Sequence, residues 1–310
     1  MAESAATQRF LLRRGFLGAA VRLGLATERP ALGNLKANLK TMEERLRGSE
    51  ADLVLFGELF LSGYAVKDQV ANLALSVKGP EIGGLRDLAK ETGRGILAGF
   101  PRMDDERRGL VYDSALFVDK KGKVDWYDKW FLANFGPFEE KLYFAEGRRL
   151  PLFEQDGIRF GVQICYDLFF PELAKAYAVM GADLLVNLSA SPTVSRRNFE
   201  LLFPARAIEN GFFVAYCNVA GTQEDMVFWG GSQVWGPRGD QKILAPYNDP
   251  SFVEVDLDPS EIRAARPLRP TIRDTEKEMV VQLLRAVEGA GRPATAEKAK
   301  APAKGRPRKR

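Results

Sequence analysis

The chain has 310 residues, 45% of them hydrophobic and 28% charged, which is enough for a large α/β core and ordinary for a soluble protein. Two cysteines are too few for a disulfide framework or a cysteine-rich zinc site, and the absence of histidine removes Ser-His-Asp triads, Cys-His proteases and His-liganded zinc. The net charge of +4 is unevenly placed: eight Lys/Arg against one Glu give residues 291–310 a balance of +7, which leaves −3 on the other 290.

Residues 1–20 read as an N-terminal extension. In "FLLRRGFLGAAVRLGLA" the pair Arg13-Arg14, followed by Phe16 and Leu17, resembles a twin-arginine export signal, but Arg22 interrupts the apolar segment. Residues 21–26 read better as the first core strand. No stretch approaches the roughly 18 apolar residues of a membrane helix. Both cysteines lie in apolar runs, so a reducing, cytoplasmic setting is expected.

Strands and helices then alternate. Strand patterns fall at 53–58, 95–100, 114–119, 160–165, 184–189 and 212–219, and helix periodicity at 34–46, 83–93, 171–181 and 196–211. Gly181 and Gly211 stand where helix C-caps belong. This alternation predicts an α/β layered domain over 21–285. "ADLVLFGEL" (51–59) and "ADLLVNLSA" (182–190) echo each other and hint at two pseudo-symmetric halves. From 286 to 310 bulky apolar residues almost vanish, and a basic, disordered tail is expected.

Three strand ends carry reactive or charged groups: Glu58 in "LVLFGELFLSGY", Lys129 among Trp126, Tyr127, Trp130 and Phe131, and Cys165 in "GVQICYDLFFPE". Clefts form at strand C-termini in α/β proteins. Taken singly, each residue reads equally as a solvated loop charge or a small buried hydrophobe. Cys217 has no acidic or basic neighbour and reads as a buried strand residue.

Taken together, the three blocks resemble the nitrilase, or carbon-nitrogen hydrolase, superfamily. "GELFLSGY", "ICYDLFFPE", "RAIENGFFVAYCNVAG" (206–221) and "WGGSQVWGPRG" (229–239) extend the likeness over about 21–260. The resemblance implies a four-layer α-β-β-α sandwich with a Glu58, Lys129 and Cys165 triad. It also implies a second glutamate at Glu140, with Glu139 one slip away, and a homodimer or larger even oligomer formed through outer helices. Phe131 and Ala133 depart from the His and Pro common after the family's lysine, which puts local loop shape in question but not the chemistry.

That chemistry works without histidine. Lys129 is expected to lower the Cys165 thiol pKa from about 8.5, and Glu58 to accept its proton. Cys165 then attacks an amide or nitrile carbon, and water hydrolyses the adduct. Lys129 and the Tyr166 N–H are assigned to the oxyanion, with Tyr64, Phe135 and Ser189 as further substrate contacts. No metal or cofactor is expected.

"CYDLFFPE" is closer to the amidase and carbamoylase branches than to true nitrilases, so a small linear amide or N-carbamoyl substrate ranks first and a nitrile second. "NFGPFEEKLYF" also resembles the glutaminase domain of glutamine-dependent NAD synthetase, although no Gly-rich phosphate loop is present. From a different class, "KGRPRKR" (304–310) resembles an AT-hook for A·T-rich DNA, against the plainer reading of a solubilising basic tail.

Overall fold

The structure, a computed structural model, describes residues 20–290. The Arg13-Arg14 pair and the basic tail 291–310 lie outside the described residues. A compact unit ends at Ile272, and a second unit begins at Arg273.

Fourteen strands lie in the first unit: β1 Val21–Thr27, β2 Leu53–Phe56, β3 Gly95–Met103, β4 Val111–Val118, β5 Val124–Asp128, β6 Phe153–Gln155, β7 Ile158–Ile164, β8 Leu184–Ser189, β9 Phe213–Asn218, β10 Ala220–Gln223, β11 Met226–Trp229, β12 Gln233–Trp235, β13 Gln241–Leu244 and β14 Ser251–Leu257. The helices that position the site are α1 Leu35–Gly48, α2 Pro80–Thr92, α3 Glu140–Tyr143, α4 Pro171–Met180 and α5 Arg196–Asn210. One six-stranded sheet runs β14-β1-β2-β3-β4-β5, the other β13-β12-β9-β8-β7-β6, and β10 pairs with β11. Each large sheet has a parallel trio, β1-β2-β3 and β7-β8-β9, with antiparallel strands on its flanks.

Strand alternation decides the layers. Leu53 and Leu55 of β2 point into the core shared with Val162, Ile164, Val186 and Leu188 of the other sheet. Val54 and Phe56 point the opposite way, onto Met42 and Leu46 of α1 and Ile82 and Leu85 of α2. On the second sheet, Tyr177 of α4 donates to the Val162 carbonyl at 3.0 Å, and Phe203 of α5 packs on Tyr216 with ring centroids 4.4 Å apart. The result is the four-layer α-β-β-α sandwich. Gly181 and Gly211 cap α4 and α5 in left-handed conformation, φ 91° and 57°.

The sequence echo is structural. Its two copies form β2 and β8, the middle strand of each parallel trio. Asp52 and Asp183 make the same bonds in each half. The Asp52 N–H donates to the Arg22 carbonyl and its carboxylate accepts from the Arg22 N–H, while Asp183 does the same with Arg159. Both aspartate carbonyls accept from the start of the next strand, at Gly95 and Phe213.

Seven strands lie beyond those that periodicity predicts: β5, β6 and β10–β14. They are short or half-buried, as in "FEQ" and "QKIL", so alternation has little length in which to register. The first unit closes at Ile272, and the second holds α6, Lys277–Ala290, which runs through 286–290 where disorder was expected. Met279, Val280, Leu283, Leu284 and Val287 give it helical apolar spacing, and Gly289 near its end does not stop the helix.

Gly99 on β3 carries the backbone that ends β2. Its N–H donates to the Gly57 carbonyl at 3.1 Å, and an added Cβ would stand 2.3 Å from the Leu59 nitrogen. Gly99→Ala should therefore cost about 1–3 kcal/mol by overpacking and push the Glu58 loop out of place. Thermal melting and turnover should fall together; wild-type values for both would refute the close approach.

Candidate active site

Three segments at strand ends bring the acidic, basic and thiol groups into one buried place. Glu58 follows β2, Lys129 follows β5, and Cys165 opens the 3-10 turn after β7. Glu58 and Lys129 have no exposed surface, Glu140 is 4% exposed and Cys165 6%. Lysine is almost never fully buried without partners, and here the partners are close. Lys129 Nζ donates to Glu58 Oε1 at 2.6 Å and to Glu140 Oε1 at 2.8 Å, and it lies 3.5 Å from Asp113 Oδ2.

Each carboxylate is also held from behind. Glu58 Oε2 accepts from the Ala190 N–H at 2.6 Å. Glu140 accepts from the Tyr64 hydroxyl at 2.7 Å and the Ala133 N–H at 2.8 Å. Glu140 and not Glu139 therefore occupies the site. The hydroxyl of Tyr64, expected as a substrate contact, donates to Glu140. The departures from the family pattern fit without strain on these contacts, because Ala133 acts through its backbone and Phe131 stacks on Phe170 at 3.4 Å.

Cys165 adopts φ 44°, and Leu59, just past Glu58, adopts φ 47°. Left-handed backbone at a non-glycine residue costs about 1–2 kcal/mol and persists only where surroundings impose it. Around Cys165 those surroundings include Asp167, whose carboxylate accepts from the Ile164 N–H at 2.9 Å, the Phe131 N–H at 2.9 Å and the Tyr127 hydroxyl at 2.7 Å. One side chain thus ties the lysine loop to the cysteine loop. Burial raises the Asp167 pKa to about 6, even against these donors.

The thiol differs from expectation. Burial raises the Cys165 pKa well above its ordinary value, and the negative charge of Glu58 adds to this; the Lys129 ammonium opposes both and loses. The ammonium is shared among carboxylates, so its pull on the thiolate is largely spent. Lys129 itself loses stability as a cation through burial, yet the charges of Glu140 and Glu58 hold its pKa well above the usual value. Glu140 is raised by burial, with Lys129 working against the shift. Burial and Glu58 thus favour the protonated thiol beside the ion-paired lysine.

The Tyr166 N–H, second in the 3-10 turn, belongs to the donors that such a turn leaves without an internal partner. Ser189 is buried and its hydroxyl donates to Asn187 at 2.7 Å, while the Asn187 amide donates to the Cys165 carbonyl at 3.3 Å. Phe135 is half exposed at the mouth, its ring 4.8 Å from Tyr166. Phe131, Leu132, Asn134, Phe135, Tyr166 and Phe170 line an outer recess of about 360 Å³ that does not itself include Cys165. Oxygens of Glu58, Asp113 and Glu140 lie within 4.8 Å of one another, but the Lys129 ammonium already supplies the positive charge among them.

Sequence reasoning missed Asp113 and Asp167. Asp113 could have been found as a lone charge in the apolar run "VYDSALFV", and Asp167 as the acid two places past the cysteine.

A family model for carbon-nitrogen hydrolase matches residues 21–267. The chain belongs to that family, and it is a hydrolase of non-peptide carbon–nitrogen bonds. It is similar to 2-oxoglutaramate amidase of Bacillus subtilis, 30% identical over 251 residues that cover 80% of this chain and 94% of the relative. It is 33% identical over 254 residues to glutamine-dependent NAD(+) synthetase of Thermotoga maritima, covering 78% of this chain but only 42% of that protein. Its fold matches an amidase from Nesterenkonia sp. with TM-score 0.72 and 28% identity, over 87% of this chain and 99% of the other. One structure of that amidase carries the acetamide moiety of fluoroacetamide on its active-site cysteine.

The bond inventory orders two substitutions. Tyr64→Phe leaves Glu140 with two donors and should cost about tenfold in kcat/KM, the value of one hydrogen bond to a charged group. Glu140→Gln changes the charge facing Lys129 and should cost more. Steady-state kinetics on both proteins check the order, and a Tyr64→Phe loss as large as that of Glu140→Gln would contradict it.

Proposed function

We propose that the chain hydrolyses the carbon–nitrogen bond of a small linear amide or N-carbamoyl compound through a thioester on Cys165. The observation that carries this reading is the burial of Glu58, Lys129 and Glu140 in one bonded cluster beside a thiol held in left-handed backbone. The amidases to which the chain is similar support the substrate class.

Because the thiol is neutral at rest, its proton must leave as the sulfur attacks. Glu58 is the acceptor in this mechanism. Sγ bonds to the amide carbon, and the carbonyl oxygen gains charge that Lys129 and the Tyr166 N–H stabilise. The C–N bond breaks as Glu58 returns the proton to the leaving nitrogen, and ammonia departs. Water then attacks the thioester, gives one proton to Glu58 and releases the acid; that proton restores the thiol. Glu140 orients Lys129 and the attacking water. The recess outside the site, lined by Lys141, Glu146 and Asn134 as well as by aromatic rings, suits a small acyl portion that carries a polar group.

Cys165→Ala should lower turnover at least about a thousandfold with little change in melting. The measurement is ammonia release over a panel of amides, N-carbamoyl compounds and nitriles. Retained turnover in this variant would end the thiol mechanism, and activity confined to nitriles would replace the amide reading. Cys217 is a contrast: its pKa is raised by burial to about 12, and its thiol donates to the Leu55 carbonyl at 3.3 Å between the sheets. Iodoacetamide should therefore modify the folded protein at Cys165 and spare Cys217, as peptide mapping would show. Cys217→Ala should keep most activity.

A cytoplasmic even oligomer is part of the same proposal. Val179 and Met180 on α4 and Leu201 on α5 are exposed apolar residues on the outer layer, and light scattering reads the mass directly. Deletion of 291–310 should leave turnover unchanged and remove any salt-sensitive affinity for DNA, since seven net positive charges go with it. A collapse in turnover would place the tail in the catalytic assembly.

A further inference from the structure

Asp113 lies on β4, paired across the sheet with Pro101 of β3, and is completely buried. Neither of its carboxyl oxygens has a hydrogen-bond partner, although its backbone carbonyl accepts from the Lys129 N–H at 2.8 Å. Such a group has no evident place in a core. An unpaired buried carboxylate costs several kcal/mol, and Asp113 stands beside two other carboxylates.

The donors settle how the charges are arranged. Glu140 receives three donors, from Lys129, Tyr64 and Ala133, and Glu58 receives two, from Lys129 and Ala190. These are the surroundings of ionised carboxylates. Asp113 receives none, and the nearest positive atom, Lys129 Nζ at 3.5 Å, is committed to closer oxygens. Three carboxylates around one ammonium would leave two surplus negative charges in a dry site. Placing one proton on the acid that lacks donors removes one of them. A protonated carboxyl needs an acceptor, and the Glu58 carboxylate lies within 4.8 Å of Asp113.

We propose that Asp113 is a positioning residue that stands in the site as a neutral carboxylic acid, its O–H directed to Glu58 and its second oxygen facing the Lys129 ammonium. Burial and the negative charge of Glu58 act on it in this direction, holding its pKa well above the carboxylate range. The groups facing it are Glu58, Lys129 and Glu140, with the Cys165 thiol beyond them. In this role Asp113 keeps a third negative charge off Lys129, which preserves the ammonium's attraction for the oxyanion. It also steadies Glu58 while that residue takes the thiol proton. The role rests on the amide hydrolysis proposed above, but the proton can be read without any substrate.

The test compares the full-length protein with Asp113→Asn, which keeps an N–H donor and is always neutral, and with Asp113→Leu, which keeps neither donor nor acceptor. Infrared difference spectra at neutral pH should show a protonated-carboxyl C=O band, shifted in D₂O, that disappears in Asp113→Asn. An unchanged band in the variant would overturn the assignment even if no amide were hydrolysed. In kinetics, Asp113→Asn should lose less than about tenfold in kcat and Asp113→Leu more than about a hundredfold, a gap of at least one hydrogen bond to a charged group. Equal losses would refute the donor role. If Asp113→Leu fails to fold, the infrared band and the Asp113→Asn rate still decide: a loss above a hundredfold in Asp113→Asn would mean that the ionised carboxylate is required.

Discussion

Everything in the site depends on one buried ammonium. Lys129 has no exposed surface, and a lone charge there would be untenable, so Glu58 at 2.6 Å and Glu140 at 2.8 Å are conditions of its existence as a cation. The glutamates in turn need the donors behind them, from Ala190, Ala133 and Tyr64. Each comes from a different loop. The sandwich therefore acts as a frame that supplies backbone N–H groups at fixed points, and the reactive side chains follow from those points.

The same arrangement explains why the thiol is not activated at rest. A lysine bound by two glutamates has little field left over for a neighbouring sulfur. In the mechanism proposed above, deprotonation is coupled to attack, when a substrate carbonyl presents a new acceptor for the ammonium.

Much of this was legible in the amino-acid pattern. Fully buried strands such as 53–56 and 184–189 have enough apolar residues to declare themselves, and the three strand-end residues stand out because ionisable groups are rare beside such runs. The Asp-containing echo at 51–59 and 182–190 proved to mark equivalent middle strands with identical bonding at Asp52 and Asp183. What escaped depends on contacts between distant segments. Asp113 and Asp167 matter because of what folding places beside them, and no local periodicity encodes that. The sign of the shift at Cys165 escaped for the same reason: it reflects competition among burial, Glu58 and Lys129, and only their relative positions decide it. The helix running on to Ala290 was hidden by a composition that turns polar and small just beyond it.

The bond from the Ala190 N–H to Glu58 spans 132 positions and joins the ends of the two middle strands. The charged groups Glu58, Asp113, Lys129 and Glu140 all come from the first half of the chain, and the second half supplies the Ala190 donor and Cys165. Contacts of such long range form late in folding, after loop-closure entropy has been overcome. The Glu58 carboxylate is therefore held in place only where the two sheets meet.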